Sequence, residues 1–135
     1  MPTIKRYFYR KADKLKSRKA IDEIFAEGKS FSNFPFKIIW IPQNKMELLQ
    51  AGVGVSSRNF KKATDRNRIK RLMREAYRLQ KNMLEEYLEK NNRTLSVFFL
   101  YLGKELPAYD LLFEKMGASL KRLINLAHEH FEKNP

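Results

Sequence analysis

The sequence predicts an α/β sandwich, with helices packed on a mixed sheet. Three observations carry that prediction. Three short runs, Phe36 to Ile41, Ala51 to Ser57 and Leu95 to Leu102, are rich in β-branched, aromatic or small apolar residues. Two long stretches, one from about Thr64 to Glu89 and one opening at Pro107 and Asp110, repeat apolar residues at helical spacing. Their order is helix, two or three strands, helix, strand, helix, within a length that suits one domain.

Each element has its own signals. Residues 1–14 are read as a basic, aromatic arm containing Tyr7, Phe8 and Tyr9, expected to be flexible up to Leu15, and 15–135 as a single domain. Ser17 can cap a short helix whose apolar side is Ile21, Ile24 and Phe25, and Gly28 is expected to end it in the left-handed conformation. Phe36, Ile38 and Trp40 share one face of the first clear strand; Lys37, Ile39 and Ile41 share the other. In the next strand Val53 and Val55 lie opposite Gly52, Gly54 and Ser56, and that face of small residues admits close approach of a backbone or a ligand. The long helix stops at Asn91 and Asn92. Leu95 to Leu102 is apolar on both faces, which places it in the sheet interior. The last helix carries Leu112, Phe113, Met116, Leu120, Leu123, Ile124, Ala127 and Phe131 on its apolar positions.

The formal net charge of +13 calls for a polyanionic partner, nucleic acid before membrane. With no cysteine, disulfides, thiolate zinc sites and cysteine nucleophiles are excluded, and a reducing compartment is suited. No apolar run follows the basic N-terminus as in a signal peptide, and the longest apolar stretch is too short to span a bilayer, so a cytoplasmic protein is expected.

The charge is concentrated. Between Arg58 and Lys81 stand Arg58, Lys61, Lys62, Arg66, Arg68, Lys70, Arg71, Arg74, Arg78 and Lys81, opposed only by Asp65 and Glu75. On a helical wheel Ile69, Leu72, Met73, Ala76, Leu79 and Met83 cluster on one side, while Arg66, Asn67, Lys70, Arg71, Arg74, Arg78 and Lys81 gather opposite. Like charges four residues apart destabilise an isolated helix by roughly 0.2–0.5 kcal/mol per pair, and cations in its first half oppose the dipole. Bound phosphates relieve that repulsion, because guanidinium groups grip phosphate oxygens in two-pronged geometry. An ordinary solvated helix is the competing reading. A membrane-surface helix fits less well, since the apolar side lacks bulky aromatics.

No protein active site is expected. His128 and His130 lie two residues apart on a helix, do not share a face and have no partnered carboxylate or serine constellation. Glu85, Glu86 and Glu89 read as a solvated helix end, so neither catalytic nor metal-ligating residues are assigned.

The run Arg66-Asn67-Arg68-Ile69-Lys70-Arg71-Leu72-Met73-Arg74-Glu75-Ala76 resembles the RNR motif of the bacterial ribonuclease P protein family. Leu15-Lys16-Ser17-Arg18, Phe25-Ala26-Glu27-Gly28-Lys29-Ser30 and Ala51-Gly52-Val53-Gly54-Val55-Ser56 stand upstream in the matching frame, and the likeness runs from about Leu15 to Phe131. It implies an αβββαβα chain with a sheet of about four strands and a left-handed βαβ crossover through the RNR helix, against the usual hand. It implies a ribonuclease P subunit that assists Mg²⁺-dependent removal of the 5′ leader from precursor tRNA. Catalysis and Mg²⁺ would reside in the ribonuclease P RNA, with one protein bound per RNA. Carried over by position, Arg66, Asn67, Arg68, Lys70, Arg71, Arg74 and Arg78 would bind RNA, with Arg68 on the flank of the wheel. Ile21, Phe25, Lys37, Ile39, Ser56 and Arg58 would line the leader cleft. Here the chain departs from the family pattern: Ile21 and Ile39 stand where aromatics are usual, and Ser57 replaces a basic residue. Phe60 is a candidate compensating ring, and core packing is the competing reading for Ile21 and Phe25. A ribosomal or other structural RNA-binding protein with no part in cleavage remains the alternative function; a DNA-binding reading lacks helix-turn-helix spacing.

Overall fold

The computed structural model describes residues 9, 11–44 and 46–135. A short 3₁₀ turn at Lys11–Asp13 precedes α1 (Arg18–Glu27), β1 (Lys29–Asn33), β2 (Phe36–Gln43), β3 (Leu49–Val55), α2 (Ala63–Gln80), α3 (Asn82–Asn91), β4 (Thr94–Tyr101) and α4 (Tyr109–Lys133). The four strands form one mixed sheet in the order β1-β2-β4-β3. β1 and β4 run antiparallel to β2, whereas β3 and β4 are parallel neighbours joined through α2 and α3. The expected α/β fold with four strands is the observed one.

Two apolar clusters sandwich the sheet. Phe36, Ile38, Trp40, Leu49, Ala51, Leu95, Val97, Phe99 and Tyr101 meet the apolar stripes of α2, α3 and α4 on one face. On the other, Ile39 and Phe98 meet Leu15 and Ile24 beneath α1. β4 is thus covered on both sides, which explains why Val97 to Leu100 is apolar on both faces. Full burial of such side chains stabilises the fold by about 1.5–3 kcal/mol each.

Local chemistry sets the boundaries. The Ala20 N–H donates to Ser17 Oγ at 3.4 Å, the expected cap of α1. Gly28 ends α1, but in an extended conformation (φ −70°, ψ 155°) rather than the expected left-handed one. Glycine is needed there for space: a Cβ would collide with the Ile24 carbonyl oxygen and lie 2.9 Å from Ile39 Cγ2 and 3.0 Å from the Trp40 oxygen. β2 extends past the expected Ile41 through Pro42. β1 pairs with it only as far as Trp40, so the proline's missing N–H breaks no β1–β2 bond.

The single helix expected from Thr64 to Glu89 is two helices broken at Lys81. That lysine is 2% exposed and its Nζ lies 2.7 Å from Glu85 Oε1. It therefore leaves the cationic face assigned to it and holds the joint between α2 and α3. Asn92, left-handed at φ 54° and ψ 48°, caps α3 as its sequence position suggests.

Most of the arm read as 1–14 lies outside the described residues. Tyr9 and residues 11–14 are described, and they pack on the domain. The Tyr9 hydroxyl donates to the Ala51 carbonyl, Lys14 forms a parallel bridge with Ala51, and the Leu15 N–H donates to the same carbonyl at 3.0 Å.

Candidate nucleic-acid interface

The first surface is α2. Ile69, Met73, Ala76 and Tyr77 are buried against the sheet and α4, which orients the rest of the helix outward. Asn67, Arg68, Arg71 and Arg74 are exposed, and Lys70 is half-buried. Among the described residues no ion pair ties Arg68, Lys70, Arg71 or Arg74 to a carboxylate. Their charge is therefore left to solvent or a polyanion.

Two predicted cations are engaged within the protein. Arg66 Nη1 donates to the carbonyls of Phe60 at 2.7 Å and Lys61 at 2.8 Å, fastening the preceding loop to the first turn of α2. Arg78 forks onto Glu75, with Nη2–Oε1 at 2.6 Å and Nε–Oε2 at 3.0 Å. Those bonds hold the Glu75 carboxyl below its ordinary range and raise the Arg78 guanidinium further.

The second surface is the sheet face beneath α1. Strand register aligns Ser32, Lys37, Leu100 and Gly54 in one row, and Ser30, Ile39, Phe98 and Gly52 in the next. α1 covers the second row. Ile39 is 4% exposed and belongs to the packing under α1, so it is not part of an open cleft wall. Ile21 is half-buried against the same cluster. Phe25 is 48% exposed at the edge of α1, with its ring 5.2 Å from that of Phe98 at an angle of 61°. The first row remains partly open: Lys37, Leu100 and Gly54 form a shallow floor, with Phe25 as one wall and Ser56 and Arg58 at the end of β3. The Arg58 N–H donates to Ser56 Oγ at 3.3 Å, which shapes that exit.

Sequence reasoning missed Phe98 and Leu100 as parts of this face. A strand apolar on both faces from Val97 to Leu100 gives no sign of which side chains point where; its pairing with the glycines of β3 carries that information. Phe60 is not a cleft ring. It is buried in the main core, tilted at 42° against Tyr101. His128 has the carboxylate partner not foreseen for it: Nε2 lies 2.9 Å from Glu132, and Nδ1 lies 3.3 Å from the Tyr87 hydroxyl. The side chains of His128 and Glu132 are both more than half exposed. Among the described residues no three His, Cys, Asp or Glu side chains are grouped to hold a metal, and no helix is long and apolar enough to cross a membrane.

The family model described as Ribonuclease P matches residues 9–124, most of the chain. The chain belongs to the ribonuclease P protein family. A ribonuclease P protein component of Porphyromonas gingivalis is 32% identical over 115 residues, covering 84% of each chain. One from Bacillus velezensis is 32% identical over 114 residues, covering 84% of this chain and 88% of that one. The ribonuclease P protein of Thermotoga maritima superposes with a TM-score of 0.60 at 26% identity, covering 81% of this chain and 96% of that structure. The Staphylococcus aureus protein shares the fold, with a TM-score of 0.57 at 22% identity. The chain is thus a protein subunit of ribonuclease P, a tRNA-processing endonuclease, and its partner is ribonuclease P RNA. The ribosomal alternative gives way to this membership.

Proposed function

We propose that this ribonuclease P subunit grips its RNA through the α2 ridge and holds the single-stranded 5′ leader of precursor tRNA on the sheet face beside α1. The observation that carries the reading is the exposed set Asn67, Arg68, Arg71 and Arg74, opposite a stripe locked into the core. Arginines on a rigid helix suit the phosphates of a folded RNA, and Asn67 suits a sugar hydroxyl or a base edge. Arg66 and Arg78 contribute mainly by fixing the two ends of the ridge. On the other face, Phe25 offers a ring for stacking an unpaired base, Lys37 and Arg58 offer phosphate contacts, and the small Gly54 leaves room for the Phe98 ring that backs Phe25. Hydrolysis is assigned to the RNA with its bound Mg²⁺. The protein residues bind the leader and fix its register. One protein acts per RNA, in the cytoplasm.

Reconstitution with ribonuclease P RNA at low Mg²⁺ tests this. Leader removal should become efficient on adding the protein, and precursor tRNA should bind the complex more tightly than mature tRNA. Equal binding of the two tRNAs would remove the leader assignment while leaving RNA binding by α2 intact.

A further inference from the structure

A second cluster of positive charge lies outside α2 and outside the leader face. β3 is an edge strand, with α2 packed on one face of the sheet and α1 on the other. The chain crosses between those faces along the β3 edge, held by the Lys14–Ala51 bridge and the Leu15–Ala51 hydrogen bond. There it borders an open groove of about 450 Å³ whose lining includes Lys11, Lys14, Lys16 and Lys19, with Glu23 and Glu47. Lys11, Lys16 and Lys19 are exposed, and among the described residues none of the four lysines is paired with a carboxylate.

This groove is linked to α2 through Tyr9. The Lys14 ammonium stands 5.4 Å from the centroid of the Tyr9 ring, and that ring packs edge-on against Tyr77 of α2. Tyr9 lies within reach of the charges of both Arg74 and Asp13. Cations thus stand on both sides of Tyr9, Arg74 on α2 and Lys14 toward the capped start of α1, with the Asp13 carboxylate as the opposing charge acting on that ring. We infer that the lysine groove is a phosphate-backbone subsite, holding an RNA strand that continues from the α2 ridge around the β3 edge. The inference rests on α2 being the RNA-binding helix. Lysine is a point charge without the fork of arginine, so a lysine-only rim tracks a backbone rather than reading particular groups. Four lysines against two carboxylates leave a local surplus of positive charge, and the carboxylates hold phosphates toward the lysine rim. The phosphodiester chain can come from ribonuclease P RNA or from the leader of the substrate.

The test compares Lys16→Ala/Lys19→Ala with the control Lys90→Ala/Lys121→Ala, which removes the same charge from exposed positions on α3 and α4. The dependence of log Kd on log salt is measured first for the protein with ribonuclease P RNA. It is then measured for the assembled holoenzyme with leader-bearing precursor tRNA. Loss of both contacts should flatten the slope by roughly 1.4–1.8 units, and the control should change it less. A change in the first titration assigns the strand to ribonuclease P RNA; a change confined to the second assigns it to the leader. A slope matching the control in both overturns the subsite. Arg71→Ala, run in parallel, separates the two failures: if it flattens the slope and the lysine pair does not, only the groove is lost. If neither does, RNA binding by α2 has failed as well.

Discussion

The Tyr9 ring stands edge-on to the Tyr77 ring, with centroids 5.5 Å apart and planes at 67°. Tyr77 is buried on the core side of α2, so the contact joins the N-terminal segment to the helix that carries the cationic ridge. The Tyr9 hydroxyl donates to the Ala51 carbonyl, which ties the same segment to the β3 edge.

That relationship predicts an alkaline sensitivity. Burial pushes the Tyr9 hydroxyl up from 10.0 to about 12, partly opposed by Arg74. Below pH 10 both folded and unfolded chains keep the proton, and the contribution to stability is whole. As pH rises from 10 toward 12 the unfolded chain ionises first, and that stability is lost. Tyr9→Phe removes the titration while keeping the ring. At neutral pH it should lower stability by about 0.5–1.5 kcal/mol, toward the low end because Ala51 keeps the Leu15 bond. Between pH 10 and 12 its decline should be shallower than that of the parent chain. Urea unfolding at several alkaline pH values reads both; parallel declines would count against Tyr9 as the titrating group.

Arg71→Ala and Arg74→Ala should each reduce the salt dependence of RNA binding by about 0.7–0.9 units of log–log slope. Both side chains are exposed and without a carboxylate partner among the described residues, so thermal stability should hardly move. Arg78→Ala should flatten the slope less, because Glu75 already occupies part of its guanidinium. Unchanged slopes for both Arg71 and Arg74 would remove them as phosphate contacts.

How far the sequence revealed these surfaces depends on the kind of signal. The α2 ridge was legible because helical spacing sorts side chains by angle: Ile69, Met73 and Ala76 were placed inward, and Arg71 and Arg74 outward. Lys81 sits beyond the break in the helix, where the wheel no longer applies, and its stem lies in the core instead. The proposed leader face was only half legible. Ile39 follows strand alternation correctly, but no local pattern reveals that α1 lies over it. Phe60 has no period to follow, and its burial depends on Tyr101, 41 positions along the chain. Gly28 was read as a conformational need, whereas the constraint is contact with Ile39 and Trp40.

Phe25 and Ile39, both assigned to the leader cleft by position, should separate in experiment. Phe25→Ala removes a ring that is 48% exposed. It should weaken discrimination of leader-bearing tRNA by about 1–3 kcal/mol and leave circular dichroism unchanged. Ile39→Ala opens a void beneath α1 and should instead lower stability by about 2–5 kcal/mol. Leader discrimination unaffected by Phe25→Ala would leave that ring with packing against Phe98 as its role.

Gly54→Ala tests the floor of the same face. A Cβ there would stand 2.7 Å from Phe98 Cζ and 3.0 Å from Cε1, so the ring must move. Because Phe98 packs against Phe25, that shift disturbs the stacking wall as well. Stability should fall by about 1–3 kcal/mol, with a further loss of leader binding in protein shown to be folded. Normal leader affinity in the folded variant would show that strand and ring do not share this space.

Lys81→Met separates the fold from the interface on a single helix axis. Lys81 is buried and paired with Glu85, whose side chain is 21% exposed. Methionine keeps most of the stem's packing but leaves the carboxylate without this partner. Breaking a fully buried pair lowers stability by roughly 3–5 kcal/mol, an upper bound here because water reaches Glu85. The denaturation midpoint should therefore drop. The salt slope of RNA binding should stay at the parent value, because a cation enclosed in the core meets no phosphate. A flattened slope in this variant would mean that Lys81 reaches RNA, and that the joint between α2 and α3 opens when RNA binds.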